Sequence, residues 1–106
     1  MFDISNQDIQ KVIDTTVLSK NPLVFSNFPV KEKRKYIVLC MIVHFFEKDK
    51  KYHESEVNEI LKPMIHDFAT VRRYLVDYKF LDRTTDGKSY WLIEDLEKFK
   101  KYDIGH

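Results

Sequence analysis

The order of elements legible in these 106 residues predicts an α+β fold, mainly helical: a winged helix with an added N-terminal helix. Three observations carry that reading. Apolar residues recur at helical spacing in four separate stretches, a very short strand-like stretch precedes the third of them, and an Asp-Gly pair joins two β-rich runs near the C-terminus. Helix, short strand, helix, helix and hairpin in sequence is the winged-helix order.

The first helix starts at Ser5 or Asn6, either of which can cap it, and runs to about residue 18 with Ile9, Val12, Ile13 and Val17 on one stripe. Pro22 and Pro29 then punctuate an irregular connector whose Leu23, Val24, Phe25 and Phe28 are too apolar for a free linker, so the connector is expected to lie packed across the domain. Next comes KEKRKYIVLCMIVHFF, a charged first turn followed by ten apolar residues in the eleven positions from Tyr36 to Phe46, interrupted by His44. Its length favours helix, and a helix apolar nearly all round must be covered on more than one side, by the first helix or by a second copy of the chain.

EKDKKY is a polar turn into a short strand at Tyr52, and HESEVNEILK reads as a helix with Val57, Ile60 and Leu61 inward, ended by Pro63. Asp67 is placed to cap the following helix, DFATVRRYLVDY, whose Phe68, Val71, Tyr74, Leu75 and Tyr78 share one face. Ala69, Thr70, Arg73 and Asp77 fall on the opposite side, with Arg72 and Val76 on the flank. Residues 80–84 and 89–93 form the arms of a hairpin around Asp86-Gly87, with Trp91 expected to seal the hairpin onto the preceding helix. EDLEKFKKY adds a terminal helical segment through Leu96, Phe99 and Tyr102, and the final DIGH is expected to fray.

The domain reading is therefore a single unit over 1–106: an N-terminal helix and connector (1–27), a winged-helix core (28–93) and a C-terminal segment (94–106). Cys40 is the one cysteine, set in an apolar run, so neither a disulfide framework nor a paired-cysteine zinc motif is available, which suits a reducing, cytoplasmic setting. The N-terminus shows no export signal, and the longest apolar run is far too short to span a bilayer, so no membrane association is expected.

From about Phe28 to Trp91 the fragments FPVKEKRKYIVL, YHESEVNEIL, DFATVRRYLVDYKFLDR and DGKSYW occur in an order and spacing that resemble a bacterial domain family of unknown function, found alone or appended to winged-helix transcriptional regulators. The resemblance covers more than half the chain and implies a helix-turn-helix or winged-helix module with a role in transcription. Three positions depart from the family pattern. His53 stands where Thr is favoured as a helix cap, Lys79 where a glycine usually ends the helix, and Leu92 where a basic residue is common. Lys79 is therefore expected to be a non-glycine left-handed residue, at a cost of about 1 kcal/mol.

In a helix-turn-helix the second helix of the pair presents its early outward residues to base edges, which selects Ala69, Thr70, Arg72 and Arg73. Arginine suits the task because its planar fork donates two hydrogen bonds to guanine, and a threonine hydroxyl reaches a phosphate or base. On the wing, Arg83 and Lys88 are the candidates for backbone or minor-groove contact. Lys31, Lys33, Arg34 and Lys35, the densest basic run, are candidate phosphate contacts, since cations at a helix start oppose its dipole. Residues 31–50 hold six basic against three acidic side chains, yet the whole chain carries only +1.

These features predict a transcriptional regulator that binds double-stranded DNA as a homodimer. Acids at Asp67, Asp77, Glu54, Glu56 and Glu59 repel phosphates, and the competing reading is a protein-interaction or dimerisation module on the same fold, supported by the near-neutral helix-turn-helix region and the exposed Val76 and Ala69. The ordinary reading of Arg73 and Asp77, four residues apart, is a surface ion pair. For catalysis the sequence offers nothing: His44, His53, His66 and His106 have no ligand spacing, Gly87 and Gly105 make no phosphate loop, and no metal, cofactor or enzyme activity is expected.

Overall fold

The computed structural model describes residues 2–106. Helix α1 (Asn6–Thr16) opens on a capping box in which the Ser5 hydroxyl accepts from the Asp8 amide at 3.1 Å while the Asp8 carboxylate accepts from the Ser5 amide at 2.9 Å. It ends at Thr16 rather than near residue 18, because Val17 turns extended and begins a strand.

The stretch expected to be an irregular connector is instead a β-hairpin, β1 (Val17–Lys20) with β2 (Leu23–Phe25). The turn residues Asn21 and Pro22 flank β-rich runs only three or four residues long, too short for alternation to stand out. The hairpin is anchored from both sides, the Phe25 amide donating to the Met64 carbonyl at 2.7 Å and the Ser26 amide to that of Thr16 at 2.8 Å.

Helix α2 (Glu32–Ile42), continued by a 3-10 turn (Val43–Phe45), is the centre of the core: every residue from Ile37 to Val43 is buried. Cover on all sides comes from this chain itself, with α1, a later helix and the C-terminal 3-10 segment (Leu96–Tyr102) packed against it. The first of the two alternatives raised by its apolar circumference is thus the one realised, and α2 leaves no face for a second copy. The C-terminal segment is held by the His44 imidazole on the Phe99 carbonyl at 2.7 Å and by the Lys101 ammonium donating to the Ile4 carbonyl at 3.0 Å. The terminal DIGH is correspondingly not free. Ile104 packs on the core, and a side chain at Gly105 would place its Cβ 2.4 Å from the Lys20 carbonyl oxygen, so glycine alone lets the tail lie against the hairpin.

Strand β3 (Lys51–His53) leads directly into α3 (Glu54–Leu61), whose Glu56 carboxylate reaches back to the His53 amide at 2.8 Å, supplying the capping contact through the third helical residue. Helix α4 (Phe68–Asp77) follows after a turn. Asp67 occupies its N-cap, but its side chain makes no capping bond. At the far end Lys79 adopts φ 67°, the left-handed conformation expected of it, and the Phe80 amide donates to the Leu75 carbonyl while the Lys79 amide donates to that of Val76. This is a Schellman closure carried by a lysine in place of glycine.

Strands β4 (Leu81–Arg83) and β5 (Ser89–Leu92) complete a three-stranded antiparallel sheet in the order β3-β5-β4. The register sets Tyr52, Tyr90 and Arg83 in one row and Lys51, Trp91 and Asp82 in the next, so the two rows point to opposite faces. Buried Tyr90 is the residue that seals the sheet onto the helices. Trp91, expected in that role, lies on the other face, half-buried, with the Lys51 ammonium 5.7 Å from its ring centroid. The fold is thus α+β, with two small antiparallel sheets set around a helical core.

Candidate nucleic-acid interface

Between α4 and the β4–β5 hairpin lies an open cleft of about 410 Å³. Four of the six residues selected from the sequence as the DNA-reading set line it: Ala69, Arg72 and Arg73 from α4, and Arg83 from β4. Tyr90 and Gly87 close the hairpin side, while Glu54 and Asp77 bring carboxylates to the rim. Thr70 is half-buried and Lys88 exposed, and neither reaches the cleft.

The adjacent arginines differ in what they touch. Arg72 reaches across to α3, donating through one terminal nitrogen to the Glu54 carboxylate at 2.7 Å and through the other to the Asn58 side-chain oxygen. Its side chain is only 19% exposed, so this fork is held in place and both of its ends are occupied. Arg73 is exposed and, among the described residues, has no ion pair or side-chain hydrogen bond; the surface pair with Asp77 does not form. A helix that turns its side chains by about 100° per residue sends one arginine to a neighbouring helix and the next to solvent.

Arg83 reaches the cleft because the register puts it in the row of Tyr90, on the helix side of the sheet. Its guanidinium donates to the Thr84 carbonyl at 3.3 Å and is otherwise free among the described residues. Gly87 matters here twice. It takes φ 71° at the hairpin tip, and a Cβ there would stand 3.3 Å from the Arg83 guanidinium nitrogen, so the missing side chain keeps room for the arginine to lie along the turn. The tip is cross-braced: the Asp86 carboxylate accepts from the Thr84 hydroxyl at 2.6 Å and the Lys88 amide at 3.0 Å, and these bonds hold its carboxyl below the usual carboxylate range.

The basic run at the start of α2 does not form a comparable site. Lys33 pairs with Asp8 of α1 at 2.9 Å, and the Ser5 amide first and this ammonium second lower the Asp8 carboxyl to about 2. Lys35 turns the other way, to the Tyr74 hydroxyl at 3.2 Å, to Glu32 at 3.3 Å and over the Tyr74 ring. Lys31 and Arg34 line a separate hollow beside Thr15, Asn27 and Pro29, and with Lys33 they line a smaller one of about 190 Å³ beside Asp8 and Lys11. Glu32 is itself engaged by the Tyr78 hydroxyl, whose own pKa is pushed up to about 12 by burial and by that carboxylate.

Sequence reasoning missed Glu54 and Asn58 as the anchors of Arg72, and Tyr90 as the cleft wall. No spacing along the chain signals a contact between α3 and α4 side chains fourteen or more positions apart. Gly87 was visible, through its Asp-Gly pair, but as a turn residue only.

Residues 24–92, from β2 to the end of β5, match the family described as "Uncharacterized protein conserved in bacteria (DUF2087)". The chain belongs to the DUF2087 family. The match includes the whole cleft, the α2 basic run and Lys79; helix α1, strand β1 and the C-terminal 3-10 segment of this DUF2087 protein lie outside it. No curated protein and no solved structure matches the chain. No helix among the described residues is long and apolar enough to cross a membrane.

Proposed function

We propose that this DUF2087 protein is a winged-helix transcriptional regulator that binds double-stranded DNA through the cleft face, with α4 as the reading helix and the β4–β5 hairpin as the wing. The observation that carries the reading is the meeting of three arginines from two separate elements in one open cleft, two of them with uncommitted donors. The strand order β3-β5-β4, with α3 and α4 on one face, is the arrangement such a docking needs.

Within this reading the roles divide. Arg73 contacts a base edge or phosphate from α4, and Arg83 a backbone phosphate from the wing. Arg72 is a positioning residue: by bonding Glu54 and Asn58 it locks the two helices of the helix-turn-helix at one angle. Lys88 at the wing tip and Lys31 and Arg34 at the start of α2 supply outer, non-specific attraction.

Fluorescence anisotropy of labelled mixed-sequence duplex, titrated at low and moderate salt, tests it. Arg73→Ala and Arg83→Ala should each weaken binding by roughly 5- to 100-fold, and together they should lower the salt slope by about two. An unchanged slope in the double variant, or no binding at low salt, refutes the reading. A second reading, in which the cleft takes a protein segment, draws on Glu54 and Asp77 beside the arginines, which make the cleft nearly neutral and suit a partner of mixed charge.

A further inference from the structure

The opposite face of the three-stranded sheet carries a second surface. Helices α3 and α4 pack onto the sheet from the Tyr90 side, which leaves Trp91 on the other. Trp91 is the single tryptophan, half-buried at the centre of this face, and Ile93 beside it is 47% exposed, one of the few large apolar side chains left in solvent. Two hollows of about 270 and 580 Å³ share Asp49 and Leu92 in their lining and together make a groove along which Trp91, Ile93 and Leu96 are the apolar side chains.

The groove's two walls differ in sign. One is the 48–51 turn, with Lys48, Lys50 and Lys51 around Asp49; the other is Glu94, Asp95 and Glu97. Lys50 has Glu47 at 3.3 Å and Glu97 has Lys100 at 3.0 Å, solvent-exposed pairs that exchange readily for better partners, and half-buried Glu94 has Lys98 at 3.8 Å. Lys48 and Lys51 have no ion partner among the described residues.

We propose that this groove is a homodimer interface, its occupant the same groove of a second copy. A two-fold axis lying along the groove sets the lysine wall of each protomer against the acidic wall of the other and Trp91 and Ile93 against their own mates. Isologous contacts need such self-complementarity, and a foreign partner would have to reproduce the same dipolar spacing by chance. A central tryptophan ringed by polar side chains is the usual make-up of an energetic anchor at an interface. With a net charge of +1 per chain, two copies feel almost no long-range repulsion. The face is separate from the DNA-reading cleft, so the dimer stands or falls independently of DNA binding, and it leaves both clefts open.

Sedimentation velocity of the full chain without DNA, over about 5 to 500 μM, reads the association directly, and Trp91 emission on dilution reads it at the groove. A concentration-dependent dimer with blue-shifted emission in the associated form is expected. Ile93→Glu should weaken it at least tenfold with unchanged far-UV circular dichroism. Lys48→Glu and Glu97→Lys should each weaken it roughly three- to tenfold, and the two together should restore it, because the walls are then exchanged rather than matched in sign. A monomer at every concentration, a dimer indifferent to Ile93→Glu, or a charge-swapped pair weaker than either single variant overturns the proposal.

Discussion

The start of α2 and the α4 cleft are the two places where cations gather, and they gather oppositely. Of the four basic residues within five positions at Lys31–Lys35, Lys35 leaves for Tyr74 and Lys33 is tied to Asp8, so that in the hollows they share only Lys31 and Arg34 have no ion partner among the described residues. In the cleft, Arg72, Arg73 and Arg83 come from positions up to eleven residues apart and converge. Charge density along a chain therefore says little about charge density in space when the run sits on a helix, which fans consecutive side chains around its axis.

The largest test of this contrast sets two double variants side by side in the DNA titration. Arg73→Ala with Arg83→Ala should cost at least about 30-fold in affinity, and Lys31→Ala with Arg34→Ala only about threefold, the difference between docked and peripheral phosphate contacts. Equal losses would show the two clusters acting as one surface.

Next in size is the anchor of Arg72. Glu54→Ala leaves a largely buried guanidinium with half its bonds and should lower stability by about 1 kcal/mol in urea unfolding, with duplex binding weakened despite the loss of a repelling acid. If Glu54→Ala instead tightens binding without destabilising, Arg72 is a reading residue held back by Glu54, and the division of labour between the adjacent arginines is reversed.

Lys79→Gly should stabilise by up to about 1 kcal/mol, read as a raised midpoint in thermal melting, because glycine takes φ 67° without the Cβ penalty that lysine bears. The same change leaves the cleft charges alone, so its DNA affinity should match the parent's and provide a stability-only control for the arginine variants.

The smallest effect belongs to the α2 side. Asp8 sits near 2 in the folded chain against an ordinary 3.8, so the stabilisation it provides is fully present above about pH 4 and is lost as pH falls through about 2. Asp8→Asn should flatten that part of the unfolding-midpoint profile, and Lys33→Met should flatten it in part, since the Ser5 amide would remain. A profile unchanged by Lys33→Met would mean that Lys33 is free, and the α2 cluster more available than its geometry indicates.

Most of the elements were legible in the chain because their causes are local. Capping at Ser5, the apolar run of α2 and the Asp-Gly turn follow from periodicity and turn chemistry, and the left-handed Lys79 from what the family resemblance implies at that position. The β1–β2 hairpin was not, because strands of three and four residues around Pro22 carry too little alternation to separate from loop. Trp91 was assigned the wrong face because the face of a strand turns on register, where a slip of one residue exchanges Tyr90 for Trp91.

What the sequence by itself determined is the four α-helices and the strands β3 to β5, the apolar helix demanding cover on every side, and the arginines on the flank and outer side of α4. Which cover α2 receives, which of two adjacent arginines is tied down, and that Arg83 joins them across the hairpin were decided only in three dimensions. These depend on contacts between elements distant along the chain, and neither propensity nor periodicity carries information about such contacts.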